Sequence, residues 1–281
     1  YQKIRPIISQ LLNRCDLIGV QTETYAERFR QLGANPNHVH VTGSVKFDQV
    51  TTDRENPATQ QLRTLFQIAP TETVWIAGST QAPEEEFALR AYQNLKSKHP
   101  GLRLIVVPRH RERFEEVAEL LADQPFPLIR RSQLERSSTE IPSDAVFLLD
   151  TLGELGACWG LADLAYVGGS LTNRGGQNMI EPAAFGAAVM FGPNTQNFRD
   201  AVLLLQTVNG ARVVPTGDSM TTIIEHLLLH PEDAENMGAR AREIVLTQQG
   251  ATSRTVMLLQ DLLKHLSFPA ENSRNVSDRA A

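Results

Sequence analysis

Cysteine is almost absent: Cys15 and Cys158 are the only two in 281 residues. That excludes a disulfide framework, and no metal-ligand spacing links the pair. A reducing compartment with two buried thiols is the expectation. Aromatic residues are few, at 6%. No apolar run approaches the roughly 18 residues that a membrane span needs. Excess positive charge is lacking too: the net charge is −5 and the pI about 5.8. An extended nucleic-acid surface is therefore disfavoured, although local basic clusters remain. No signal peptide, internal repeat or initiator methionine is visible. The chain opens on Tyr1, which reads as an excerpt of a longer polypeptide.

What is present is an ordinary globular balance, 41% hydrophobic and 21% charged. Short β-rich runs stand at 16–20, 38–43, 73–78, 102–107, 126–131, 145–150, 164–168, 188–192 and 211–215. Between them lie helical patterns at 23–32, 84–98, 111–123, 152–161, 180–186 and 197–208. Three more follow at 219–229, 231–247 and 252–266. Strands alternating with helices of this length predict an α/β fold: a Rossmann-like, doubly wound, mainly parallel sheet. The polar stretch QVTTDRENP (49–57) reads as a linker. Residues 1–50 then form the remnant of a preceding domain with the start of the linker. Residues 51–268 form the main domain, with six or seven strands, and 269–281 a disordered tail.

In an open parallel sheet, ligands bind beyond the carboxyl ends of the strands. Five such ends carry glycine, hydroxyl, amide or cationic residues here. They are Ser79-Thr80-Gln81, Pro108-Arg109-His110-Arg111, Thr151-Leu152-Gly153-Glu154, VGGSLTNRGGQNMIEP (167–182) and Gly192-Pro193-Asn194. The glycine pairs Gly168-Gly169 and Gly175-Gly176 invite two readings. A tight strand-to-helix turn needs one glycine. Two pairs, with Ser170, Arg174, Gln177 and Asn178 around them, favour backbone N–H groups that approach a phosphate.

The neighbouring residues are also two-sided. Asn178 and Glu181 have capping-box spacing. Pro182 fits better if the helix starts one to three residues later, which leaves Glu181 able to accept two hydrogen bonds from a ribose diol. Arg109 sits beyond a buried strand, as a solvated turn residue or an anion ligand; His110 alone is more often structural. Lys46 precedes the linker, as a surface lysine or facing an interdomain cleft. Thr151 and Glu154 match a capping box. Glu84, Glu85 and Glu86 after Pro83 read as the acidic first turn of a helix. Trp75 and Trp159 read as core.

Taken together, VTGSVKFD (41–48), WIAGSTQAPEEE (75–86), VPRHRERF (107–114), 150–184, FGPNTQNFRD (191–200) and QQGA (248–251) resemble one family. It is the 3-deoxy-D-manno-octulosonic acid (Kdo) transferases, two-domain GT-B glycosyltransferases of lipopolysaccharide assembly. The similarity runs over most of residues 11–265 and is to the C-terminal portion. It implies a CMP-Kdo donor, a lipid A-type acceptor, an inverting transfer, and no metal or other cofactor. It implies that Lys46, Ser79, Thr80, Arg109, His110, Gly168, Gly169, Ser170, Gly176, Asn178, Glu181 and Asn197 match motif positions. Gly175 and Gln177 join them from the loop itself. Arg109, Lys46 and the glycine loop would take the donor phosphate and sugar carboxylate, and Glu181 the ribose.

The chain departs from the family at Gln81 and Gln177, where histidine is usual, and at Pro83, where glycine is usual. Glutamine still donates a hydrogen bond but carries no proton to transfer. The resemblance further implies that the general base, the acceptor groove and the membrane-facing surface belong to an N-terminal domain of which residues 1–50 are the end. The full-length protein would then work at the cytoplasmic face of the inner membrane. This portion would be soluble and, alone, inactive. Two other readings stand beside this one: a GT-B enzyme of UDP-sugars, whether transferase or 2-epimerase, and a non-catalytic nucleotide-binding relative.

Overall fold

The computed structural model describes residues 4–134 and 140–265. These fall into two units. One runs up to Asp48 and resumes at Gln248; the other is Gln49–Thr247. The expected tail at 269–281 lies outside the described residues.

The first unit contains α1 (Arg5–Leu12), β1 (Ile18–Val20), α2 (Glu23–Gln31), β2 (Val39–Val41) and α11 (Ala251–His265). β1 and β2 pair in parallel, with Val20, Ala26, Ala34 and Val39 buried between them and α2. The sequence pattern places α11 in the main domain, up to 268; the structure puts it in this unit instead. The reason is a long-range cap. Asp48 Oδ1 accepts from Gly250 N at 2.6 Å and Oδ2 from Thr252 N at 2.6 Å. Arg254 Nε donates to the Thr42 carbonyl at 2.8 Å. A carboxylate on the open N–H groups of a helix start is a favourable pairing.

In the second unit, β3 (Thr73–Thr80) explains the architecture. All of it beyond Thr73 is buried, so both faces need cover. Parallel neighbours flank it: β4 (Leu102–Pro108) and β7 (Leu164–Val167). The full order is β5 (Leu128–Arg130), β6 (Val146–Leu148), β4, β3, β7, β8 (Ala188–Phe191), β9 (Ala211–Val213), all parallel. On one face Trp75, Ala77, Leu104 and Val106 meet α4 (Glu84–Lys96), α5 (Phe114–Ala122) and α9 (Ser219–Leu229). In α5 the buried residues Phe114, Val117, Ala118 and Leu121 follow helical spacing. On the other face Phe66, which ends α3 (Pro57–Leu65), packs on Phe147 with ring centroids 4.6 Å apart. The sheet is thus doubly wound.

Two local expectations change. α3 follows the expected linker, in a stretch where no helix is expected; Asn56 caps it by accepting from Thr59 N at 3.0 Å, and Pro57 opens it. α7 (Ile180–Ala184) begins before Pro182, not after it. First-turn N–H groups have no intrahelical partner, so a proline there forfeits none. The remaining helices are α6 (Leu155–Cys158), α8 (Arg199–Thr207) and α10 (Pro231–Thr247). Strand order reverses between β3 and β7, and the crevice beyond their carboxyl ends is where ligands of such sheets bind.

Candidate functional site

β3 ends irregularly. Its register with β4 shifts between Gly78 and Thr80, and Ser79 there has φ +55°. A non-glycine residue in that region is held by its surroundings at a cost of about 1–3 kcal/mol. The Ser79 side chain is buried yet makes no hydrogen bond within the described residues. Thr80 Oγ1 donates to the Val107 carbonyl at 3.4 Å. The Thr80 carbonyl accepts from Arg109 N at 3.0 Å, which fixes the turn carrying Arg109 and His110 beside it. Both of those side chains are exposed and make no hydrogen bond within the described residues.

The loop after β7 packs against the end of β3. A Cβ on Gly168 would lie 2.6 Å from both the Ser79 carbonyl oxygen and Thr80 Cα. Glycine is required there by close approach of two backbones, not by a ligand. The N–H groups that follow are already engaged. Glu84, at the start of α4 and 0% exposed, accepts from Gly169 N at 2.6 Å, Ser170 N at 3.0 Å and Leu171 N at 2.9 Å. It also accepts from Gln81 N at 2.9 Å and the Tyr166 hydroxyl at 2.8 Å. The anion nest expected for a phosphate thus holds an internal carboxylate. Backbone N–H donation by Gly169 and Ser170 to a ligand is corrected accordingly.

The rest of the loop is folded onto β8. Gly176 N donates to the Gly169 carbonyl at 2.8 Å, and Asn197 N to the Gly175 carbonyl at 3.0 Å. Gly175 and Gly176 have φ of +90° and +76°, which accounts for the second glycine pair. Asn197 Nδ2 donates to the Arg174 carbonyl at 2.9 Å. Ser170 is fully buried; its Oγ donates to the Val167 carbonyl at 2.6 Å and accepts from Gly192 N at 2.8 Å. Gly169 is bordered by amides: a Cβ on it would lie 3.4 Å from Gln177 Nε2 and 3.5 Å from Gln81 Nε2. Neither carboxamide has a hydrogen-bond partner among the described residues.

Asn178 Nδ2 donates to Glu181 Oε1 at 2.8 Å, while Asn178 Oδ1 accepts from Ile180 N at 3.1 Å. Glu181 Oε2 makes no hydrogen bond among the described residues. Burial pushes the Glu181 carboxyl above its usual range, and Asn178 and the Arg109 charge partly offset that. Arg109 and Glu181 therefore feel one another across the crevice. Thr151 and Glu154 do not form a capping box. The Thr151 hydroxyl bonds the Glu154 carboxylate directly, and Arg131 Nη2 reaches its other oxygen at 2.7 Å.

The structure thus brings Ser79, Thr80, Arg109, His110, Gly168, Gly169, Ser170, Gly175, Gly176, Gln177, Asn178, Glu181 and Asn197 to one rim of one sheet. Lys46 lies in the other unit, in the 3-10 turn Val45–Phe47. Sequence reasoning passed over Glu84. It also missed Thr172, whose Oγ1 is buried in the loop without a partner. Among the described residues no group of three or more His, Cys, Asp or Glu side chains is placed to hold a metal ion, and no helix is long and apolar enough to cross a membrane.

A cavity of about 980 Å³ opens at the opposite rim, by Thr73, Leu164 and Gly186. Two of the polar groups that line it, Arg54 and Asp163, are committed internally; the exposed Glu235, Arg242 and Glu243 line it as well. Arg54 donates to the Phe185 carbonyl at 2.9 Å and to the Ala162 carbonyl, and pairs with Asp163 at 3.4 Å. Asp163 Oδ2 accepts from Val74 N at 2.8 Å. The reversal of strand order, with unmatched donors and acceptors gathered there, favours the carboxyl rim.

A family model described as 3-Deoxy-D-manno-octulosonic-acid transferase (kdotransferase) matches residues 1–49. A 3-deoxy-D-manno-octulosonic acid transferase of Haemophilus influenzae is 36% identical over 267 residues, 94% of this chain and 61% of that protein. The crystal structure of the C-terminal CMP-Kdo binding domain of WaaA from Acinetobacter baumannii superposes with a TM-score of 0.60. It is 31% identical and covers 66% of this chain and 95% of that one. The chain belongs to the Kdo transferase family. It spans about 61% of the length of the Haemophilus relative. The UDP complex of MnaA from S. aureus shares the fold alone, with a TM-score of 0.58 at 14% identity over 89% of this chain and 61% of that one.

Proposed function

We propose that the unit Gln49–Thr247 holds the nucleotide of CMP-Kdo, and that the whole protein transfers Kdo from it to a lipid A-type acceptor in lipopolysaccharide biosynthesis. The observation that carries this is the Arg109–Glu181 pair. A cation without a hydrogen-bond partner among the described residues and a half-buried carboxylate with one open oxygen stand at the crevice where strand order reverses. Similarity to a domain described as binding CMP-Kdo supports the choice of nucleotide.

In this reading Arg109 meets the donor phosphate and stabilises its charge as it leaves. Gln81 and Gln177 supply neutral N–H donors beside it. Glu181 accepts from the ribose hydroxyls, with Asn178 fixing its orientation. Ser79 offers a buried hydroxyl to the same space. Lys46, in the other unit, is assigned to the sugar carboxylate. No metal is called for, because side-chain donors meet the phosphate charge.

The acceptor, its activating base and the membrane contact at the inner face of the inner membrane are assigned to the remainder of a longer protein. Residues up to Asp48 are the end of that acceptor-side domain. By itself the chain binds donor nucleotide and transfers nothing. The test is product formation by the full-length protein from CMP-Kdo and a lipid A precursor with EDTA present, joined to competition of CMP against UDP on this chain. The reading expects product and preference for CMP. Tighter UDP binding would instead favour a UDP-sugar enzyme.

A further inference from the structure

Glu84 is a fully buried acid with no cationic side chain among its hydrogen-bond partners; all five are N–H or O–H donors. A buried carboxylate without a counter-cation is costly unless its lone pairs are filled, and here they are. Four of the donors are backbone N–H groups, from the turn after β3 and from three successive residues after β7. Such a run of N–H groups is an anion nest. Tyr166 closes the arrangement. Burial and the neighbouring Glu84 push its phenol well above the usual range, so it remains a donor.

We propose that Glu84 is a positioning residue of the donor site. Its carboxylate is a resident anion that fills the nest, locks the turn after β3 to the loop after β7, and moves the ligand's phosphate off the backbone and onto side chains. The two carboxamides that border Gly169 are the consequence. Gln81 is anchored by its own N–H on Glu84, and Gln177 approaches from the far end of the loop. With the N–H groups of Gly169, Ser170 and Leu171 occupied, the donors left for a phosphate are side chains, Gln81, Gln177 and Arg109 with Ser79 and His110 beside them. The inference rests on the nucleotide reading above.

Hydrogen exchange on the parent chain, with and without CMP, tests it without any variant. The amides of Gly169, Ser170 and Leu171 should exchange slowly in the free protein and unchanged with CMP, while the side-chain amides of Gln81 and Gln177 shift. Fast exchange in the free protein that becomes slow with CMP would overturn the proposal, because the nest would then be the phosphate site. No response anywhere to CMP would overturn the nucleotide reading itself, and this proposal with it. Two variants add a readout that a merely structural role would not move. Glu84→Gln should weaken CMP binding about ten-fold or more, since an amide cannot accept from every donor. In Glu84→Ala, formate should restore CMP binding where formamide at the same concentration does not. Equal rescue by both, or unchanged binding in Glu84→Gln, would contradict a carboxylate role.

Discussion

The two rims of the seven-stranded sheet are both rich in polar residues, yet they differ in where those residues find their partners. At the amino rim Arg54 is absorbed by two carbonyls and Asp163, and Lys96 by the carbonyls of Pro100, Leu102 and Ser143 at 2.6–2.8 Å. At the carboxyl rim Glu84 is absorbed in the same way, but Ser79, Gln81, Arg109, Gln177 and one oxygen of Glu181 are left over. A cavity of about 980 Å³ belongs to the first rim, and the unmatched groups at the reversal of strand order to the second. Volume and polarity alone do not separate a site from a structural joint; unmatched groups gathered where the strand order reverses do.

That contrast can be broken most forcefully at Gly168. Gly168→Ala puts a Cβ against the Ser79 carbonyl and Thr80 Cα, neither of which can move cheaply. It should cost about 3 kcal/mol in denaturant unfolding and remove nucleotide binding as well. Arg109→Ala should leave the unfolding midpoint unchanged and weaken CMP binding by about 10–100-fold, the worth of a charged hydrogen bond of about 1.5–3 kcal/mol. Arg54→Ala should do the reverse: a loss of about 1–2 kcal/mol in stability with CMP affinity kept within about two-fold.

Glu181→Gln sharpens the comparison further. Burial raises the folded-state pKa of this carboxyl, so the native state holds its proton to higher pH than the unfolded chain does. Stability is then lost as pH rises through that raised value, and a neutral isostere removes the loss. The variant should be at least as stable as the parent at pH 7 while binding CMP about five- to ten-fold more weakly. Asp150 gives the opposite and smallest signal. Burial alone would raise it, but Ser132 and Arg130 outweigh that and hold its carboxyl below the usual range. Its contribution is present above about pH 4 and fades below it as the folded form protonates. Asp150→Asn should therefore flatten the acid side of the unfolding profile.

Much of the fold was readable because its signals are local. Each of the nine strands among the described residues overlaps an apolar run read from the sequence. The rim residues follow from where those runs end. α3 was readable and was missed: Asn56-Pro57 is a helix start, but the polar residues before it suggest a linker. Glu84 was not readable in this way. Its partners Gly169 to Leu171 lie more than 80 positions away, whereas its immediate context, acids after a proline, describes an ordinary first turn. The membership of α11 depends likewise on Asp48, about 200 residues earlier. The glycine loop was located correctly, but its N–H groups were assigned to a ligand because the internal carboxylate that fills them comes from a distant helix.

The central claim is that the carboxyl rim of the sheet, and not the amino rim with its cavity of about 980 Å³, grips a nucleotide. Calorimetry of CMP on three proteins tests it most directly: the parent chain, Arg109→Ala and Arg54→Ala. The account predicts binding to the parent and to Arg54→Ala, with the heat lost in Arg109→Ala. Heat that survives Arg109→Ala and disappears in Arg54→Ala would contradict it.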